Sequence, residues 1–170
     1  AEPVGSCTDL VATVLRPLEA YYPGQFEIAP LTVVVDATRE LDRFSPNVSY
    51  LFDRQLEEAA IILLNKVDLV GSDQQTEQVN RLEARYSRAR LLGVSARQGD
   101  GIGAWLDMTL GQSHANDVTM TVDYGRYAEA EAELGWLNAK GMVRSSTAFS
   151  ARQWIAALME RLEQELADSQ

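Results

Sequence analysis

The chain has 170 residues, enough for one domain or one domain with a small appendage, and its 46% hydrophobic and 24% charged residues are ordinary for a globular protein. A formal net charge of -10 argues against non-specific binding to nucleic acid or to an anionic membrane, because phosphate contacts need clustered Lys and Arg. The single cysteine, Cys7, excludes an internal disulfide and points to a reducing, cytoplasmic setting, and no apolar run approaches the roughly 20 residues that span a bilayer.

The N-terminus lacks the basic region and apolar core of a signal peptide. Residues 8–22 place Leu10, Val11, Val14, Leu15 and Leu18 at helical spacing, with Pro17 expected to kink or end that helix and Tyr22-Pro23-Gly24 to turn the chain. Leu31-Thr32-Val33-Val34-Val35-Asp36 is β-branched and apolar on both faces, as a buried parallel strand is. A helix is predicted over 47–59. Ala60-Ile61-Ile62-Leu63-Leu64 reads as a second strand that runs into Asn65-Lys66-Val67-Asp68. Ser72 is the expected cap of the next helix, with Gln75 completing a capping box and Val79, Leu82 and Tyr86 marking its inner face. Arg90-Leu91-Leu92-Gly93-Val94 is a third strand, emptying into Ser95-Ala96-Arg97, and a short helix follows near 102–110. Strands alternating with helices predict an α/β fold, a partial doubly wound parallel sheet.

Composition shifts near residue 111, which sets the expected division: 1–111 as one domain and 112–170 as an extension, joined by a linker over 111–117. From Tyr127 to Trp136 alanines and glutamates alternate. Their propensity favours helix, but the sustained period of two favours a strand, and the reading adopted is a β-β-α tail with its turn at Asn138-Ala139-Lys140-Gly141 and a return strand over 142–147. In the last element Ser150 caps a helix, Gln153 completes its capping box, Phe149 and Trp154 occupy staple positions, and Ile155, Leu158, Leu162 and Leu166 form one stripe.

Asn65-Lys66-Val67-Asp68 carries the chemistry. An Asp carboxylate at this place accepts two hydrogen bonds at once, from N1–H and the exocyclic amine of guanine, a pair that adenine does not offer. The Asn amide reaches the base edge or ties loops together, and the Lys stem lies flat along the base. Ligands of open α/β sheets bind at the carboxyl ends of the strands, where this motif falls. A backbone N–H after Ser95 is placed to donate to the guanine carbonyl oxygen, and Gly99, Gly101 and Gly103 open the loop there. The plain alternative is a polar strand-to-helix turn with an Asp cap. Asp36, ending the first strand, is either second shell to Mg²⁺ or a helix cap. Cys7 and His114 read best as bystanders, and Glu129, Glu131 and Glu133 as a solvated face rather than a cation site.

N-K-x-D followed by S-A-[KR] resembles the guanine-specificity pair of P-loop GTPases. Glu2-Pro3-Val4-Gly5 is similar to the E-x-x-G of the CobW/HypB/UreG metallochaperone group, and the phrase from Tyr127 to Asn138 resembles the C-terminal part of CobW-like members. The resemblance implies a P-loop NTPase fold, GTP and Mg²⁺ as cofactors, Asn65, Lys66, Asp68, Ser95 and Ala96 as guanine ligands, and Glu2 and Gly5 as sensors of the γ-phosphate and Mg²⁺. It also implies a GTP hydrolase that supports metal insertion into a metalloprotein. No G-x-x-x-x-G-K-[ST] and no C-x-C-C occurs in the chain. An N-terminal truncation accounts for both losses, so a phosphate loop is expected upstream of Ala1, and the chain alone is expected to be inactive and to expose a sheet edge. The alternative is a non-catalytic module that docks on a P-loop-bearing chain or a metalloprotein client, with a homodimer through the open edge as a further expectation. A ribosome-assembly GTPase is disfavoured by the acidic charge and the E-x-x-G.

Overall fold

The computed structural model describes residues 2–39, 44–111, 118, 120–134 and 140–167. The chain forms two compact units, Ala1–Gly135 and Trp136–Gln170. In the first, β1 (Thr32–Asp36), β2 (Ile61–Asn65) and β3 (Arg90–Val94) form a parallel sheet in the order β1-β2-β3. The α/β reading with a partial parallel sheet is borne out. β2 is central, with Thr32, Ile61 and Arg90 in one register row and Asp36, Asn65 and Val94 in the last.

Each strand is apolar on both faces because helices cover both. Val33, Val35, Ile62, Leu64 and Leu91 face α2 (Pro46–Glu58) and α3 (Ser72–Arg85), where they meet Leu56, Ala59, Leu82 and Tyr86. Ile61, Leu63, Leu92 and Val94 face α4 (Ile102–Leu110) and pack on Ile102, Trp105 and Met108. Ile61, Ile62, Leu63 and Leu64 are all at most 4% exposed, so β2 is the core of the unit. α4 covers β2 and β3 but not all of β1: Val34 remains 58% exposed on the same face.

The N-terminal helix differs from expectation at Pro17. A π turn over Val11–Leu15 leads directly into α1 (Arg16–Tyr21), with Pro17 in its first turn. Proline has no N–H to give to a carbonyl one turn back, and the wide turn before it, in which Arg16 N–H bonds to Val11 O, carries the chain past that gap without ending the helix. α3 begins one residue earlier than expected: Gly71 is the N-cap and Ser72 the first helical residue, without a side-chain capping bond. Gln75 N–H instead donates to Gly71 O at 2.9 Å.

The tail requires a larger correction. Residues expected as an outward-facing strand form α5 (Tyr124–Leu134), and no strand occurs over 142–147. Only Ala130 of the alternating alanines is buried, while Tyr127 and Glu131 flank it as half-buried neighbours at helical spacing. Alanine side chains are too small to build a strand's apolar face, so the period of two had no burial behind it and helix propensity prevailed. α5 lies on α2: Asn47 Nδ2 donates to Glu129 and Glu133 at 3.0 Å, and the Arg126 guanidinium sits 4.3 Å from the centre of the Tyr50 ring. The second unit holds α6 (Ala151–Ala167), whose first turn is closed by Gln153 N–H donating to Ser150 Oγ at 3.3 Å, as expected of that cap. The linker over 112–117 with His114, and the turn at 138–139, lie outside the described residues. No helix among the described residues is long and apolar enough to cross a membrane.

Glu58, at the end of α2, is 3% exposed and accepts Val11 N–H at 2.6 Å, so a buried carboxylate anchors the N-terminal segment to the sheet's helical layer. Burial pushes its pKa up from 4.5, while the N–H groups of Val11, Leu10 and Asp9 pull against that rise. A carboxyl whose folded pKa is raised holds its proton more tightly in the folded state, so stability declines as pH climbs from 4.5 through the folded value. Glu58→Ala is expected to cost about 1–3 kcal/mol by stranding buried N–H groups. Glu58→Gln keeps an acceptor and is expected to cost less and to flatten that decline. Urea unfolding at pH 5 and pH 8 on both variants checks the pair.

Candidate functional site

The carboxyl ends of the three strands are laced by side chains. Asn65 Oδ1 accepts Lys66 N–H at 2.8 Å and Ala96 N–H at 3.0 Å, joining the end of β2 to the turn after β3. Both neighbours are donors, which fixes the orientation of the amide and leaves Nδ2 without an acceptor among the described residues. Lys66 adopts a left-handed conformation (φ 66°, ψ 31°), uncommon outside glycine, and a 3₁₀ turn over Val67–Leu69 follows. That reversal sends the lysine side chain back across the sheet end, where Nζ lies 2.5 Å from Asp36 Oδ2.

Asp36 is thus not the helix cap that was one of the two expectations for it. It does not cap α2, whose N-cap is Ser45 with Oγ accepting Val48 N–H at 3.2 Å. Its oxygens receive Lys66 Nζ, Thr38 N–H at 2.9 Å and Thr38 Oγ1 at 2.6 Å, which leaves the carboxylate committed to protein donors. Desolvation pushes its pKa up, but the hydrogen bonds from Lys66 and Thr38 and the Lys66 charge outweigh it and hold the group at about 2. The contribution of this contact to stability is therefore fully present above pH 3.8 and is lost as pH falls toward 2. Sequence reasoning missed the Lys66–Asp36 pair. The available signal was position, since Asp36 ends the strand beside the motif strand.

Ser95 is fully buried. Its Oγ accepts Gln98 N–H at 3.2 Å, its carbonyl accepts Gly99 N–H at 2.8 Å and its N–H donates to Asp100 O at 2.9 Å. It shapes the turn from inside, and Ala96, Arg97, Gln98 and Gly99 form its exposed part. Ala96 N–H is taken by Asn65, whereas Arg97 N–H has no acceptor among the described residues. Gly101 closes the loop at φ 74°, and a Cβ there would come within 2.6 Å of Gly93 O, so the turn can be this tight only with glycine.

Asp68 stands in the 3₁₀ turn, half-buried, and its carboxylate takes no hydrogen-bond or ion-pair partner among the described residues. Asp36 and the Asn65 oxygen are bonded within the protein, whereas the Asp68 carboxylate and Asn65 Nδ2 have no partner among the described residues. Glu2 and Gly5 are not brought to them. Gly5 O accepts Gln55 Nε2 at 2.7 Å, in the later half of α2. α2 runs from the carboxyl end of β1 back to the start of β2, where Ala60 and Ile61 N–H bond Leu31 O, so its last turns lie at the opposite end of the sheet. Glu2 is exposed. Among the described residues no group of three His, Cys, Asp or Glu is placed to hold a metal ion.

Comparison with known proteins identifies a family. The family described as CobW/HypB/UreG, nucleotide-binding domain, matches residues 4–91, just over half of the chain. That span takes in Gly5, Asp36 and the Asn65–Asp68 motif and stops short of Ser95 and Ala96. No curated protein and no solved structure matches significantly.

Asn65→Ala is expected to release both main-chain N–H groups, to cost about 1–3 kcal/mol of stability, and to speed hydrogen exchange at Ala96 far more than at the β2–β3 ladder. Asn65→Asp keeps an acceptor oxygen and is expected to retain slow exchange at Ala96. Amide exchange followed by NMR on the two variants reads the difference directly.

Proposed function

The chain belongs to the CobW/HypB/UreG nucleotide-binding domain family, and from that premise we propose that its sheet end recognises the guanine base of GTP through Asn65, Lys66 and Asp68, with the Ser95-Ala96-Arg97 turn alongside. The observation that carries this reading is the uncommitted carboxylate of Asp68 at a strand end where Asn65 Oδ1 and Asp36 are already bonded within the protein. A carboxylate with both oxygens available pairs with N1–H and the exocyclic amine of guanine, and adenine would leave it unpaired. Asn65 Nδ2 supplies a donor to the base edge, and Arg97 N–H supplies one to the guanine carbonyl oxygen. Ala96 N–H, the expected donor, is held by Asn65, and Ser95 acts by shaping the turn.

The residues present fit the base and not the phosphates or Mg²⁺. No phosphate-cradling glycine loop is in the sequence, and Asp36 is turned to Lys66 and Thr38. In this reading the phosphate cradle, with hydrolysis and the sensing of the γ-phosphate proposed for Glu2 and Gly5, is completed by residues other than these 170. In that setting the function proposed is a cytoplasmic metallochaperone-type GTPase that supports metal insertion into a client metalloprotein.

A second reading, a non-catalytic module that docks on a P-loop-bearing chain, on a client or on a second copy of itself, is favoured by β1. Its outer edge pairs with no strand among the described residues, and Val34 beside it is 58% exposed.

Base contacts without phosphate contacts correspond to about millimolar affinity. The chain is expected to bind guanosine and GTP about equally weakly and adenosine not measurably. Asp68→Asn exchanges an acceptor for a donor, and is expected to lower guanosine affinity about tenfold or more while raising affinity for xanthosine. NMR titration of wild type and variant with the three nucleosides decides the matter. Guanosine binding untouched by the substitution would refute the assignment.

A further inference from the structure

We infer that Asp36 is a positioning residue: it holds Lys66 by its Nζ across the strand ends, so that the lysine stem forms a fixed apolar floor for the base. This inference rests on the guanine reading above and adds to it a residue outside the motif.

The geometry supports it from both ends of the pair. Lys66 leaves the sheet in a left-handed conformation that turns its side chain back over the end of β1, and Nζ closes on Asp36 Oδ2 at 2.5 Å. Asp36 is itself fixed, because Oδ1 receives both Thr38 N–H and Thr38 Oγ1. Asp36 and Asn65 are register partners, so the lysine is anchored to the strand beside its own. Its side chain is 48% exposed and that of Asp36 20% exposed, so the pair presents one open flank of the lysine while the carboxylate is partly sheltered. A free lysine samples many rotamers, and a base that stacks on it has to order them. An anchored stem has lost that freedom before the base arrives. Asp68, with its uncommitted carboxylate, follows two residues on in the same 3₁₀ turn, so edge recognition and the stacking floor come from one short segment.

The test is a double-mutant cycle on the 170-residue chain, with guanosine as the probe. Lys66→Met keeps the stem and removes the anchored ammonium, and Asp36→Asn removes the anchor. Each is expected to weaken guanosine binding about 3- to 10-fold, and the double variant is expected to be no weaker than either single one. The loss is expected to be the same with GTP as with guanosine, since it concerns the base. Additive losses, or unchanged affinity in Lys66→Met, would overturn the inference. If Asp36→Asn fails to fold, Lys66→Met, altered at an exposed side chain, decides alone. If Asp68→Asn abolishes guanosine binding while the Lys66 and Asp36 variants bind normally, this inference fails and the guanine reading stands. If wild type does not bind guanosine, both fail.

Discussion

Oδ1 of Asn65 accepts two main-chain N–H groups just where the sheet's own ladder runs out. Asp36, Asn65 and Val94 form the last register row, and beyond it the three strands diverge into unrelated turns. Backbone donors at such a point need partners. Asn65 supplies one to its own successor and one to Ala96, while its carbonyl takes Ala37 N–H at 2.9 Å. A single residue on the central strand therefore binds the exits of both neighbours. The left-handed Lys66, the 3₁₀ turn that carries Asp68 and the compact Ser95–Gly101 loop all take their positions from it.

That arrangement works because the strand behind it does not move. β2 is buried on both faces, against α2 and α3 on one side and α4 on the other. A strand packed this way holds its last residue in place, so the polar groups at its end are aimed by the hydrophobic core rather than by the loops. The site also divides its polar groups in two. Asp36, Ser95 and the oxygen of Asn65 are used internally, and Asp68 and the nitrogen of Asn65 have no partner among the described residues. Glu58 repeats the principle at the opposite end of the sheet, where a buried carboxylate ties the N-terminal segment to α2.

Much of this was legible from the sequence. The three strands stood out as short apolar runs bounded by turns, and the Asn65–Asp68 motif because it falls directly after the most apolar run in the chain. The misreadings share a cause. Alternation from Tyr127 onward suggested a strand, but alanine contributes too little apolar surface for a period of two to mean burial, and α5 formed instead. Ser72 had the chemistry of a cap, yet Gly71 occupies that position. Pro17 was expected to kink or end its helix, and a π turn absorbs it.

The sequence by itself determined the fold class, the three strands and the residue types at the end of the second one, because strand burial and side-chain hydrogen-bonding capacity are local properties. Tertiary structure alone decided which of those groups are already spent. Lys66 meets Asp36 across 30 positions, Ala96 meets Asn65 across 31, and Val11 meets Glu58 across 47. Each partner is chosen by strand order and register, and no spacing along the chain encodes those pairings. The same long-range geometry leaves Glu2 and Gly5 away from Asp68 and turns Asp36 from an ambiguous strand-end carboxylate into the anchor of a lysine. A hydrogen-bond donor or acceptor can be recognised from its residue type, but whether it is free depends on what the fold brings beside it.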